Sequence, residues 1–282
     1  MKRIISSILS VIMVVSGFSA LGTTAFAAGN VKEIWNIKDL YNVRNDLSGN
    51  YILMADIDMT EDVANGGDYC FLGTNGWNPI GSGDIYGNDA FTGTFDGNNH
   101  IIKGLRMEMN TVPKGTTVRY FGFFANNSGT IKNITFDDVS IKCVENTTNN
   151  KYIGTICGYN TGTIENCHVL DGSMDVYSYY VQDVYPYTYE GGVAGLNNSS
   201  GSIDKCSNNA VISGSLHNGN EDSYRAYLYM GGVSSYNAGK ITKSFNSGKL
   251  KNYAENYFVY LYEGGITGYS SVSSSLISDC YN

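Results

Sequence analysis

Residues 230–248 read MGGVSSYNAGKITKSFNSG, and variants of this string recur along most of the C-terminal half of the chain. The copies begin at Phe121 (FGFFANNSGTIKNI), Ile153 (IGTICGYNTGTIENC), Gly191 (GGVAGLNNSSGSIDKC), Gly231 (GGVSSYNAGKITKSF) and Gly264 (GGITGYSSVSSSLISDC). The isoleucine after each Gly- or Ser-rich turn falls at Ile131, Ile164, Ile203, Ile241 and Ile277, so the gaps are 33, 39, 38 and 36 residues. Self-similarity at such a period implies an array of stacked units. Inside each unit the apolar residues alternate over short runs punctuated by Gly, Asn and Ser, which is strand-and-turn chemistry without a helical period.

The unit, a GG-apolar-x-G-aromatic-N turn followed by an isoleucine strand, resembles the GLUG-type repeats of bacterial surface proteins over about residues 121–282. The string FTGTFDGNNHIIKGL, from Phe91, is similar to the segment that commonly precedes such repeats. The resemblance implies an all-β fold, a right-handed parallel β-helix, of the kind carried by secreted adhesins and some surface peptidases. A fold hosts many functions, so activity does not follow from it. Residues 28–110 are expected to hold an N-terminal cap and the first coils, and residues 111–282 the repeats.

Stacking fixes which residues should meet. Phe123, Ile156, Val193, Val233 and Ile266 are expected to form one inward row, and Asn126, Asn160, Asn197 and Asn237 a partial asparagine ladder near the turns. Cys167, Cys206 and Cys280 lie three residues after the register isoleucine, where other copies have Ile134 and Ser244. A position shared by Ile, Cys and Ser reads as an inward ladder of modest size. Rungs ~4.8 Å apart also lie within reach of a Cys167–Cys206 bridge. Cys70, Cys143 and Cys157 sit in less regular surroundings.

The first 27 residues, two basic residues, an apolar run from Ile4 to Val15, then Ala25-Phe26-Ala27, read as a secretory signal cut after Ala27. No later stretch is long and apolar enough to span a bilayer. Cleavage leaves 16 basic and 26 acidic residues, a net charge of −10, which argues against nucleic acid as a partner. Asn36 is placed to cap a helix whose apolar stripe is Ile37, Leu40, Tyr41 and Leu47, ending at Ser48-Gly49-Asn50. Such a helix would cover the open end of a solenoid. Short strands are expected within 51–59, 91–95 and 101–109. The last copy stops in mid-strand at Asn282, so missing sequence or a partner is expected to cover that end.

Tyrosine is the unusual residue, with 23 in the chain. Three copies share Tyr-x-Tyr-x-Gly-Gly, at Tyr187 and Tyr189, Tyr227 and Tyr229, and Tyr260 and Tyr262. Stacked coils would align these as two columns, a surface suited to sugar rings or peptides because each side chain has an apolar body and a polar tip. Period two instead places them on the parity of Val193, Val233 and Ile266, hence inward, unless the glycine pair resets parity. An aromatic insertion at 176–187 adds a lateral loop.

Other chemistry is sparse. The acids Asp56, Asp58, Glu61 and Asp62, and the pair Asp137 and Asp138, match neither the EF-hand nor the nonapeptide calcium spacing and read as turns or strand ends. His100, His168 and His217 lack metal-ligand spacing, and no HExxH or GxSxG string occurs. The mature chain's arginines, Arg44, Arg106, Arg119 and Arg225, are scattered, unlike the basic cluster a polysaccharide lyase needs beside its acids. The expectation is a secreted or cell-surface, non-catalytic adhesion or display module binding an extracellular glycan or host protein, with no cofactor or metal. A polysaccharide-cleaving β-helix enzyme and a purely structural stalk are the alternatives.

Overall fold

The isoleucines that set the sequence period also set the strand register. In the computed structural model, Ile131, Ile164, Ile203, Ile241 and Ile277 are Cα partners on successive parallel strands. The structure describes residues 30–70, 76–81, 89–109, 120–145, 150–180, 187–218, 225–256, 259–271 and 275–282. The signal segment, the connector at 110–119 and residues 181–186 of the aromatic insertion lie outside them. The isoleucine ladder continues toward the N-terminus through Phe95 and Tyr51.

The chain winds as an all-β parallel solenoid. Three sheets of five strands take one strand from each coil, and a twelve-stranded sheet runs the length of the described fold. One coil illustrates the unit: strands Tyr187–Gly191, Ala194–Asn197, Ser202–Asp204, Ser207–Asn208 and Val211–Asn218. The next coil repeats it with Ala226–Gly231, Ser234–Asn237, Lys240–Thr242, Phe245–Asn246 and Leu250–Asn256.

The glycine pair is required by close approach. A Cβ at Gly192 would lie 2.2 Å from the Gly232 carbonyl oxygen, and one at Gly232 would lie 2.1 Å from that of Gly265. At these two positions only bare backbone lets the coils stack, whereas the second copy accommodates Thr155 at the equivalent place. A second recurrent feature follows each register isoleucine: Asn133, Asn166, Lys205, Lys243 and Asp279 all take φ between 49° and 55°. That left-handed residue sits just before the inward Ile134, Cys167, Cys206, Ser244 and Cys280. Asparagine and aspartate tolerate it, whereas lysine adopts it at a cost.

Phe123, Ile156, Val193 and Val233 are fully buried and Ile266 packs against the same core, as the repeat predicts. The cysteine position is inward too. None of the six cysteines is joined in a disulfide, and Cys167 and Cys206 turn their thiols to the carbonyls of Glu165 and Asp204, each at 3.2 Å. Burial pushes the Cys157 thiol up to about 12, so it behaves as an inert core residue.

The asparagine ladder forms one residue away from expectation in its first rung. Asn127, not Asn126, pairs with Asn160, then Asn197 and Asn237, with each side-chain amide donating 2.8 Å to the next. The first copy has one residue fewer at its corner: Phe121 pairs with Ile153 and Phe124 with Cys157. That deletion moves Asn127 into the ladder. A second ladder, Asn208 to Asn246 to Asn282 at 2.9 and 2.7 Å, buried at its first two members, packs against the glycine pairs.

The helix is shorter than its apolar stripe suggests. Asn36 caps it by accepting from the Asp39 amide at 3.0 Å, but it runs only Ile37–Tyr41 before a 3₁₀ turn, Asn42–Asn45. Asn42, Asn45 and Asp46 are weak helix formers that favour local turns. Leu40 and Val43 are nevertheless fully buried against the first coils. A strand not expected from sequence, Val31–Ile34, precedes the helix and pairs with Asn50–Leu53. In the last described coil the inward ladder is open, with Ile277 40% exposed against 0% for Ile241.

Candidate functional site

The tyrosines face outward, so the inward reading is overturned. In the strand before Gly231 the core receives Ala226, Leu228 and Met230, each 1% exposed, while Tyr227 and Tyr229 point to the other side. Inward Val233 follows because the Gly231–Gly232 corner resets the alternation.

In-register stacking turns the motif into columns. Tyr187, Tyr227 and Tyr260 are strand partners with ring centroids 4.7 and 5.1 Å apart, their planes within 19° of parallel. Beside them Tyr189, Tyr229 and Tyr262 stack at 4.9 and 4.7 Å. The six residues picked from the sequence therefore come together on one face. Sequence reasoning missed how far that face extends. Tyr152 stacks on Tyr189 at 4.7 Å and 3°, and Tyr120 lies 5.3 Å from Tyr152. The aromatic of the turn motif builds a third column, with Tyr159, Leu196, Tyr236 and Tyr269 in register. Its rings stand edge-on to the second column, Tyr236 against Tyr189 at 88° and Tyr269 against Tyr229 at 69°. The recurrent Tyr-Asn or Tyr-Ser dipeptide was the available signal.

The geometry decides what the face presents. Ring faces are used up on one another along the solenoid axis, which leaves ring edges open mainly in the outer column, where Tyr260 is exposed and Tyr187 and Tyr227 are half-buried, while Tyr189 and Tyr229 are largely covered. Burial, then the neighbouring phenols, raises the Tyr189 and Tyr229 hydroxyls above the ordinary tyrosine range, so both stay protonated donors. Arg225 adds a cation 5.6 Å from the Tyr260 ring centroid.

Behind this face lies a buried polar group that the sequence did not flag. Glu190 occupies the rung of Ile153 and Met230, is fully buried, and neither carboxyl oxygen has a hydrogen-bond partner. Burial drives its pKa well above the usual carboxylate range and so favours the neutral carboxyl, against the opposing pull of Lys151. Gly214 makes room for it, since a Cβ there would lie 2.6 Å from a carboxyl oxygen. Lys151, also buried, donates to Ser178 Oγ at 3.3 Å, which in turn meets Thr188 Oγ1 at 3.3 Å.

Asp56, Asp58, His100 and His168, among the remaining sequence candidates, serve local structure. Asp56 accepts from the Ile101 amide and meets His100 Nδ1, both at 2.9 Å, and Asp58 accepts from the Thr60 amide and hydroxyl. His168 meets Ser207 Oγ at 2.9 Å, and its pKa is lowered by burial. Among the described residues no three His, Cys, Asp or Glu side chains gather to hold a metal, and no helix is long and apolar enough to cross a membrane. An open cleft of about 700 Å³ lies near the N-terminal helix, lined in part by Arg44, Asp46, Asn78 and Asp89. Its main charges are engaged: Arg44 lies over Tyr41 and Trp77 and donates to two carbonyls, and Asp46 pairs with Lys32 at 2.7 Å.

Fold and face together define the class, a parallel β-solenoid module bearing an aromatic ladder. No family model matches the chain, so its likeness to GLUG repeats rests on the motif. Over 140 residues, 48% of this chain, it is 31% identical to Halomucin of Haloquadratum walsbyi, and that stretch is 1% of Halomucin's length. Among solved structures, a Bacteroides ovatus chain provisionally assigned as an immunoglobulin A1 protease is similar at TM-score 0.39 and 18% identity. That alignment covers 89% of this chain and 83% of the other.

Proposed function

We propose that this chain is a secreted or cell-surface, non-catalytic adhesion or display module whose tyrosine face holds an extracellular glycan or protein. One observation carries the reading: adjoining columns of in-register tyrosines lie on the outside of a parallel scaffold. Edges and hydroxyls repeated at rung spacing offer a partner apolar CH contact and hydrogen bonds together, at small entropic cost because stacking already fixes each ring. The signal-like N-terminus and the similarity to part of Halomucin support an extracellular location. The non-catalytic reading is supported by the acids and histidines named above, whose described partners serve turns and strand ends rather than converge in a groove.

The test is a glycan and matrix-protein array probed with the mature chain and with a Tyr187→Ser/Tyr227→Ser/Tyr260→Ser variant, both checked for β-sheet circular dichroism. Binding by the parent that disappears in the folded variant is the expected result. A parent that binds nothing would favour the structural stalk, a reading to which the mutual stacking of the ring faces lends weight. Release of new reducing ends from a polysaccharide would favour the cleaving enzyme.

A further inference from the structure

The outer tyrosine columns also have the geometry for a covalent modification. We propose that the Tyr187–Tyr227–Tyr260 column is a site of oxidative cross-linking, at which a haem peroxidase using hydrogen peroxide couples neighbouring rings into dityrosine and so staples successive coils. This inference does not depend on the column binding a ligand.

Three observations carry it. Centroid spacings of 4.7 and 5.1 Å with nearly parallel planes put successive rings in contact. Strand register makes Tyr187, Tyr227 and Tyr260 direct partners on successive rungs, so each phenol has another phenol as its immediate neighbour along the column. This column is also the accessible one: Tyr260 is 36% exposed and Tyr187 and Tyr227 are half-buried, whereas Tyr189 and Tyr229 behind them are 8% exposed.

The chemistry balances. Each of two phenols gives up one electron and one proton, leaving two phenoxyl radicals. These combine through their ortho carbons, and the ortho hydrogens move to oxygen to restore both phenols. One hydrogen peroxide takes up the two electrons and two protons and becomes two waters. Held in contact, the second ring is present at an effective concentration far above that of any ring on another molecule. The products close loops of 40 residues, between Tyr187 and Tyr227, and 33 residues, between Tyr227 and Tyr260. Closing loops of that length restrains the unfolded chain and raises the melting midpoint.

Exposure alone makes a different forecast. Tyr281 is 63% exposed and stacks on Phe245 at 4.9 Å, so it is open to oxidation but would couple between molecules. The experiment treats dilute folded protein with horseradish peroxidase and limiting hydrogen peroxide. Products are read by dityrosine fluorescence, by mass on a denaturing gel, and by peptide mass spectrometry for pairs that have lost two hydrogens. A parallel sample is treated in urea. The expected result is monomeric product with Tyr187–Tyr227 or Tyr227–Tyr260 pairs, in yield several-fold above the unfolded sample, and with a higher melting midpoint. Tyr227→Phe keeps a ring in the stack but lacks the phenol, and it should abolish both pairs while the protein stays folded. Dityrosine confined to intermolecular dimers, a yield no greater than in urea, or column pairs that form only in urea would overturn the proposal.

Discussion

On the inner side of the coils Ile164, Ile203 and Ile241 stack with no exposure, whereas on the outer side Tyr187, Tyr227 and Tyr260 stack with their edges in solvent. Both ladders are written by one register, yet their energetics differ. An inner rung fills volume closed on every side, and its removal leaves a cavity as well as lost burial. An outer rung rests mainly on its two stacked neighbours, so its removal costs little and water fills the space. The inner ladder therefore specifies the fold, and the outer one is free to be shaped by what it meets.

Substitutions along the two ladders test that contrast. Ile203→Ala should destabilise the protein by about 2–5 kcal/mol in urea melts, the usual cost of emptying a closed core site. Asn197→Ala should cost about 1–3 kcal/mol, because the amide of Asn160 and the carbonyl of Asn237 lose their partner where water cannot replace it. An Asn197→Ala protein as stable as the parent would mean that the asparagine ladder contributes only register.

Glu190 is the inner rung that breaks the apolar rule, and its effect has a definite sign with pH. Its pKa is raised in the folded state, so folding prefers the neutral form. Stability from this group is full below the ordinary glutamate value of about 4.3 and is lost progressively as pH rises through the folded value. Glu190→Met, which copies Met230 one rung on, should raise neutral-pH stability by about 1–3 kcal/mol and flatten that decline. A variant whose pH profile parallels the parent's would exclude Glu190 as its source.

The outer ladder should answer more weakly. Tyr227→Ser should cost about 1 kcal/mol, the scale of aromatic stacking; a loss as large as that of Ile203→Ala would erase the distinction between the two sides. Smallest of all, Lys243→Gly should stabilise by about 0.5 kcal/mol, by relieving a side chain held at φ 49°. Thermal denaturation of matched samples resolves a shift of that size.

These contrasts also mark what the sequence could convey. The isoleucine spacing located the inner row because a period shared by five copies survives small differences in loop length. Tyrosine orientation did not follow, since it depends on how the Gly191–Gly192 and Gly231–Gly232 corners spend their extra residue, and glycine permits either outcome. The same corner explains why Asn127 rather than Asn126 joins its ladder. Glu190 was illegible for another reason. A single carboxylate beside a glycine pair looks like a solvated strand end until strand pairing sets it against Met230 and Gly214 clears its space.

Because the strands lie across the solenoid, the hydrogen bonds joining one coil to the next point along its axis. Tension applied between the two ends of the described fold would load those bonds a few at a time, not as a whole sheet in shear. The terminal coil should peel first and hand the load to its neighbour. Each release would free a repeat of up to 39 residues, about 120–140 Å of extended chain. The protein should thus behave under force as an extensible tether that lengthens in steps while its remaining coils keep their faces intact.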